Sequence, residues 1–377
     1  METLLLRPFL SVTTESFPNS FTYLIAGTTL IIAVLLLGLR STRIYLVDFT
    51  CYLPPGRLRV PKAHFIEHVE MSNINGREGI DFQVKVWERS GIGSETSMPD
   101  PLHEIPPPES LDDTRNEIEM VFFTVVEDLS KHKIDPKSID ILVSNCSIFC
   151  STPSISSMII NKFAFRSDIK SVNLSGMGCS AGILSICLAK DLLKVHKTSL
   201  ALVLSMEAVT PNGYAGKEKS MLLPNVLFRM GGAAVLLSNR KQDKGMSKYK
   251  LQHLVRTHVG SDDEAYESVF HKADEDGCEG VSLSKALLSV ATKALKTNIS
   301  ALGPLVLPYS EQFRFAWSVI RKKLRFLPRQ KGVYVPNFKK AIEHYCIHAG
   351  GRAVIDGIEK SLQLQKGRCR GFKNDIT

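Results

Sequence analysis

With 377 residues and 44% hydrophobic content, the chain can bury a large core in one big domain or two fused halves, which excludes a small stapled module. Its eight cysteines contain no CxxC pair, which argues against a zinc ribbon or redox dithiol and fits reduced, cytosol-facing thiols. The formal charge of +9 points to phosphate-bearing ligands or a membrane surface, whereas no basic stripe interleaved with aromatics supports nucleic-acid binding.

In chain order, the first feature is FTYLIAGTTLIIAVLLLGL, 19 uncharged residues from Phe21 to Leu39. That length spans a bilayer, and the run lacks the basic start and small-residue cleavage site of a secretory signal. Residues 1–43 therefore read as an uncleaved anchor region. Arg40, Arg43, Arg57, Arg59 and Lys62 follow, so the positive-inside rule places the main domain in the cytosol. The segment 44–110 reads as a linker that wraps the surface. It holds one aromatic and β-branched stretch, YLVDFTCYL, then a polar segment to about residue 100 and the proline-rich PDPLHEIPPPES.

From residue 111 the pattern alternates. LDDTRNEIEMVFFTVVEDLSKHK predicts an amphipathic helix with acids in its first turn, and IDILVSNCSIF a buried strand. SISSMIINKFAF predicts a helix, KSVNLS a strand, residues 179 to about 196 a helix, and SLALVLSMEAV and MGGAAVLLSN two strands. YKLQHLVRTHVG alternates into a further strand, and SLSKALLSVATKALKTNISAL predicts a helix. The alternation argues an α/β layered fold with mostly parallel pairing. No Walker loop or dinucleotide fingerprint occurs, which removes the usual signatures of nucleotide hydrolysis and hydride transfer.

The stretch NLSGMGCSAG, Asn173 to Gly182, falls between a predicted strand and a predicted helix. Gly176, Gly178 and Gly182 allow a sharp strand-to-helix bend and close backbone approach to a ligand. A thiol at the head of the helix, Cys179, is favoured as thiolate, the nucleophilic form. A free cysteine is more often a buried structural residue, so the motif alone leaves both readings open. Residues 311 to 331, EQFRFAWSVIRKKLRFLPRQK, mix aromatics and Leu with six cations between Arg321 and Lys331. They read either as a membrane-facing surface or as a solvated cationic face.

NLSGMGCSAG, ILVSNCSIFCSTPSISSMI, KSMLLPNVLFRMGGAAVLLSNR, LKTNISALGPLVLPYSEQF, EHYCIHAGGRAV and YLVDFTCYLPP together resemble plant 3-ketoacyl-CoA synthase, the condensing enzyme of very-long-chain fatty acid elongation. The resemblance runs from about residue 44 to 362. It implies a thiolase-like layered α/β fold of two similar halves, here 111–255 with the nucleophile and 256–364 as a partial second half. It also implies decarboxylative Claisen condensation of a long acyl-CoA with malonyl-CoA, without a cofactor. Cys179 is implied as the acyl-accepting nucleophile and His348 as the histidine beside it, while His258 and His344 match two further required histidines. Read without the resemblance, His258 is a satisfied loop or core histidine and His344 supports its neighbour. Four residues apart, His344 and His348 would share a helix face and suit a metal pair, but Tyr345 stands where HExxH needs glutamate and no third ligand is evident, so no metal is expected. Gly213 and Met206 stand where the family usually carries Trp and Thr, which leaves acyl-length preference open.

Past residue 364 the basic tail 365–377, QKGRCRGFKNDIT, is unlike the family, whose members continue into a His-Arg-Phe-Gly-Asn-Thr-Ser block and a glycine loop. The second half is thus expected to be incomplete, lacking the Asn that would share the enolate oxygen and a second oxyanion amide. Losing one such donor costs on the order of a hundredfold in rate. Two readings follow: an endoplasmic-reticulum condensing enzyme, with a second copy or elongase-complex subunits as partners, or a catalytically impaired, membrane-anchored relative that binds partners or acyl-CoA.

Overall fold

A computed structural model describes residues 27–29, 42–108, 110–132, 134–323, 333–348 and 350–362. Two units divide the chain, Met1–Arg43 and Ile44–Thr377. In the first, residues 27–29 are helical, and the remainder of the anchor predicted for 21–39 lies outside the described residues. Among the described residues, no helix is long and apolar enough to cross a membrane.

The second unit is built on a six-stranded sheet of order β3-β2-β4-β5-β1-β6. The strands are β1 (Ile44–Cys51), β2 (Ile141–Asn145), β3 (Lys170–Leu174), β4 (Leu200–Met206), β5 (Gly232–Ser238) and β6 (Tyr249–Leu251). Only β2–β3 and β2–β4 pair in parallel; β4–β5, β5–β1 and β1–β6 are antiparallel, so the expectation of mostly parallel pairing fails. A helix carries the chain back between β2 and β3 and again between β3 and β4, and in that stretch the pairing is parallel, whereas the helical segment between β4 and β5 returns the chain antiparallel. The strand predicted from YKLQHLVRTHVG shrinks to the three residues of β6, with 252–259 irregular.

Period-two alternation sorts the central strands onto two helical layers. Leu142, Leu202, Leu204 and Leu236 face Ile118, Val121, Phe122, Val125 and Leu129 of α3 (Leu111–Lys131). Ile141, Val143, Ala201, Val203 and Leu237 face Ala189 and Leu193 of α5 (Ala181–Val195). Between these lies α4 (Ile155–Phe163), whose Ile155 and Ile159 join the first layer. Ser110 caps α3 by accepting from the backbone N–H of Asp112 and Asp113, a device worth about 1 kcal/mol. The polar segment before residue 100, expected as linker, instead forms α1 (Lys62–Ser72) and α2 (Gly76–Ser90). Phe65 of α1 stacks on Trp87 of α2 at 4.7 Å, and the Arg229 guanidinium lies 4.7 Å from the Trp87 ring; with Val69 and Ile80 also buried, two anchors per helix outweigh the polar composition. A further helix, α6 (Lys219–Leu227), precedes β5.

Beyond β6 come α7 (Asp263–Tyr266), the hairpin β7 (Val269–Ala273) and β8 (Glu279–Leu283), then α8 (Leu287–Val306), α9 (Tyr309–Lys323) and α10 (Arg352–Ser361). Gly303 is the only buried residue of α8, so the core sits in the half that precedes it. The base of α9 is held by Glu311, wholly inaccessible, which accepts from the Tyr334 hydroxyl (2.6 Å), the Asn337 N–H (2.9 Å) and Lys340 Nζ (2.6 Å). The Asn337 N–H, with Lys340 and Tyr334, holds the Glu311 carboxyl down at about 2. Because this value is depressed, the stabilisation is present above the ordinary glutamate range and is lost as pH falls toward about 2. Glu311→Gln is expected to raise amide exchange in 309–323 and 334–340 while leaving the six-stranded sheet unchanged, as measured by hydrogen-exchange mass spectrometry.

Candidate active site

The in-register pairing of β2 with β3 (Asn145 opposite Leu174) and with β4 (Asn145 opposite Ser205) brings three chain turns to one carboxyl edge of the parallel strands, the usual ligand-facing edge of such sheets. After β3 the chain turns through Gly176 and Gly178, both at positive φ (69° and 55°), where a side chain would be strained. A 3-10 turn, Gly178–Ser180, leads directly into α5, so Cys179 sits at the head of that helix as expected. Gly182 in the first turn of α5 packs so tightly that a Cβ there would lie 2.8 Å from Ser205 Oγ, which fixes the helix close against β4.

The turn is tied to the loop after β2. Gly176 N–H donates to Ser147 O (3.0 Å), Ser147 Oγ to Gly178 O (3.3 Å), and Ser180 Oγ to Met177 O (2.8 Å). Beneath it, Asn145 Nδ2 donates to Ser185 Oγ (2.8 Å) and Leu204 O (3.2 Å), and Ser205 Oγ donates to Asn145 Oδ1 (3.1 Å). Ser185 in turn donates to Ala181 O (2.8 Å), so a satisfied polar network sets the start of α5 against β2 and β4. Glu207, next after β4, accepts the backbone N–H of Ser147 (2.9 Å) and Ile148 (2.9 Å) and the Cys146 thiol (3.3 Å). Burial, with Glu207 beside it, pushes the Cys146 thiol up to about 12, so that sulfur stays protonated.

Cys179 is exposed and reachable. Its ionisation is a different matter, and here the expectation is corrected. Desolvation by the surrounding turn raises the thiol above its ordinary value, the Glu207 carboxylate adds to that, and the residue's own backbone N–H opposes it only in part. Desolvation, with the Glu207 carboxylate adding to it, therefore exceeds what that backbone N–H contributes. Glu207→Gln is expected to lower the Cys179 thiol pKa, so that at one fixed pH iodoacetamide labels Cys179 faster than in the unsubstituted chain, as read by peptide mass spectrometry.

The three histidines stand apart from this turn in local structure. His258 is exposed in the irregular run after β6, its Nδ1 accepting from Gly260 N–H at 3.1 Å. His344 and His348 lie not on a helix but in an irregular segment between the 3-10 turn Phe338–Lys340 and α10, so the shared helical face is not formed. His348 is exposed, yet partial desolvation lowers its imidazole below the usual value, and Gly350 packs beside it, where a Cβ would come within 3.1 Å of Cδ2. Among the described residues, no hydrogen bond or ring contact joins any two of Cys179, His258, His344 and His348, and no group of three His, Cys, Asp or Glu is placed to hold a metal ion.

Two residues past Glu207 begins a cavity of about 180 Å³, walled by Phe65 and Val69 of α1, Leu102, prolines 106–108, Val209, Thr210 and Gly213. Its floor is anchored by Glu117 of α3, whose carboxylate accepts from Val209 N–H (2.8 Å), Thr210 N–H (2.8 Å) and Thr210 Oγ1 (2.6 Å). Sequence reasoning missed Glu207, Asn145, Ser147 and Glu117. A signal existed for the acids, since Glu207 directly follows a largely apolar strand and Glu117 falls in register with Val121 and Val125 on the buried stripe of α3.

A helix-headed cysteine at the carboxyl edge of a layered α/β sheet is placed on a thiolase-like fold, the fold of the solved structures that match. The C-terminal type III polyketide synthase domain of Steely1, a type I/III hybrid from Dictyostelium, superposes with a TM-score of 0.63 at 16% identity, covering 86% of this chain and 84% of that one. A mutant of CsyB gives 0.62, also at 16% identity, over 87% and 85%. A family model described as FAE1/type III polyketide synthase-like protein matches residues 36–324. Arabidopsis thaliana 3-ketoacyl-CoA synthase 7 is 59% identical over 356 residues, 94% of this chain and 77% of that protein, and 3-ketoacyl-CoA synthase 5 is 54% identical over 85% of this chain and 65% of its own length. The chain belongs to the plant 3-ketoacyl-CoA synthase family.

Proposed function

We propose that this chain is an acyltransferase that condenses a very-long-chain acyl-CoA with malonyl-CoA, giving 3-ketoacyl-CoA, CO2 and CoA. The observation that carries the reading is the reachable Cys179 thiol on its glycine turn at the head of α5, in a chain of this family. Cys179 Sγ attacks the acyl-CoA thioester carbon; the bond to the CoA sulfur breaks, and CoA leaves with the proton that Cys179 gives up. Malonyl-CoA then loses CO2, and the electron pair of the broken C–C bond forms an enolate whose α-carbon attacks the acyl-enzyme, returning Cys179 as thiolate. The electrons balance without a cofactor.

Since its surroundings raise the Cys179 thiol, the proton has to be removed as substrate binds. His348, exposed and with its imidazole lowered by partial desolvation, is assigned that role and the later donation to the enolate oxygen, with His258 and His344 in support. The cavity beyond Glu207 is assigned to the acyl chain, because its walls are mainly apolar. Segment 21–39 is assigned as an anchor in the endoplasmic reticulum membrane with the main domain facing the cytosol, where a second copy and elongase subunits would meet it.

Intact-protein mass spectrometry after incubation with a long-chain acyl-CoA tests the reading. An acyl adduct on the peptide bearing Cys179, discharged on adding malonyl-CoA, is the expected result; an unmodified thiol overturns it. Protease protection of sealed microsomes tests the anchor, with the main domain expected to be digested from outside.

A further inference from the structure

Helix α9 (Tyr309–Lys323) exposes an ordered apolar stripe. Tyr309 is 80% exposed, Phe313 74%, Trp317 57% and Ile320 46%. Their spacing of four, eight and eleven residues from Tyr309 sets all four on one line along the helix. The opposite side is the one that docks, through buried Ser318 and through Glu311 with its bonds to Tyr334, Asn337 and Lys340 and its 3.8 Å ion pair with Arg314. The stripe therefore points away from the body of the protein. Helical periodicity puts Arg314 and Arg321 along one border and Lys323 along the other. Glu311 is the only acid of the helix and it is inaccessible, so the outward face carries cations alone.

We propose that α9 is an interfacial helix that lays Tyr309, Phe313, Trp317 and Ile320 among the headgroups and upper acyl chains of an anionic membrane, with Arg314, Arg321 and Lys323 on the lipid phosphates. The charge pattern selects this occupant: a second copy would set cations of one stripe against cations of the other, whereas an anionic bilayer complements them all. Trp and Tyr have the amphipathic rings that favour the headgroup level. The docking is separate from the chemistry at Cys179 and from segment 21–39.

The chain's two tryptophans make the test direct. Trp87 is 4% exposed and stacked on Phe65, so Trp317 is the one able to meet lipid. The full chain is reconstituted in vesicles of phosphatidylcholine with or without phosphatidylserine, each prepared with brominated acyl chains, which quench indole only at contact. The expected result is quenching that disappears in Trp317→Phe, strengthens with phosphatidylserine and weakens as salt is raised. Arg321→Gln and Lys323→Gln should each lower the docked-to-undocked ratio about fivefold. Cys179→Ala should leave the quenching unchanged. Solvent-like Trp317 emission overturns the proposal, as does emission that is shielded yet untouched by brominated chains, the sign of a second copy or another protein segment on the stripe. Equal quenching in the two vesicle compositions overturns it as well.

Discussion

Cys179→Ala is expected to abolish both the acyl adduct and the 3-ketoacyl product, a fall on the order of ten-thousandfold or more, the scale on which deleting a nucleophile acts. Stability should barely move, because Cys179 is exposed and its sulfur is in none of the hydrogen bonds that fasten the turn. Those bonds run through Ser147, Gly176 and Ser180 instead. A thermal melt therefore separates lost chemistry from lost fold. Cys179→Ser should retain the geometry but acylate far more slowly, since a hydroxyl ionises much less readily than a thiol already raised by desolvation and Glu207. The same raised value sets the pH dependence. Without substrate, the thiolate fraction at Cys179 increases only as pH climbs past the ordinary thiol range, so alkylation of the free enzyme should still be accelerating there. If the acyl-CoA reaction levels off at lower pH, a base acts in the complex, and comparing His348→Gln with the parent identifies whether it is that imidazole. Adduct formation that survives Cys179→Ala would remove the mechanism altogether.

What could be read beforehand and what could not divides along a physical line. The central strands were legible because ILVSN and LALVLSM are buried on both faces and carry runs that only a covered strand tolerates. The turn at Cys179 was legible because glycine is the residue that accepts the positive φ found at 176 and 178. Strand direction was not, since it depends on how a connection returns, and the segment between β4 and β5 carries a helix without producing a parallel pair. Helices α1 and α2 escaped notice because their stability comes from Phe65, Trp87 and Arg229 meeting across more than 140 residues of sequence, a contact that no local pattern reveals. The expected helix at 344–348 failed for a related reason: an i, i+4 histidine pair states only what a helix would do if one formed. The thiol at 179 shows the same limit in electrostatics. The head of α5 was visible in the sequence, but the desolvation that raises the thiol comes from the folded turn, and the carboxylate that adds to it arrives from the end of another strand.

Glu117 gives the largest expected effect on stability. It is 1% exposed on α3 and holds the backbone N–H groups of Val209 and Thr210 together with the Thr210 hydroxyl. Glu117→Ala strands three buried donors in a segment where Thr210 is itself buried, and an unmet buried donor costs about 1–3 kcal/mol. A loss of about 3 kcal/mol, seen as a lower urea midpoint with an unchanged slope, is expected. Glu117→Gln keeps an acceptor and should lose less; equal losses would mean that packing, not acceptance, holds the segment. Burial is the largest influence on this carboxyl and raises it; the Thr210 and Val209 donors pull it back only in part, and Glu207 pushes it further up. With the folded value above the unfolded one, the stabilisation tied to this group is full below the ordinary glutamate range and declines as pH rises through the folded value. The parent should accordingly exceed Glu117→Gln by the widest margin in acid, and the margin should narrow toward neutrality. Val209 and Thr210 also wall the cavity assigned to the acyl chain, so the same substitution should raise KM for long acyl-CoA more than for short, because a longer chain depends on more of the wall that Glu117 holds in place.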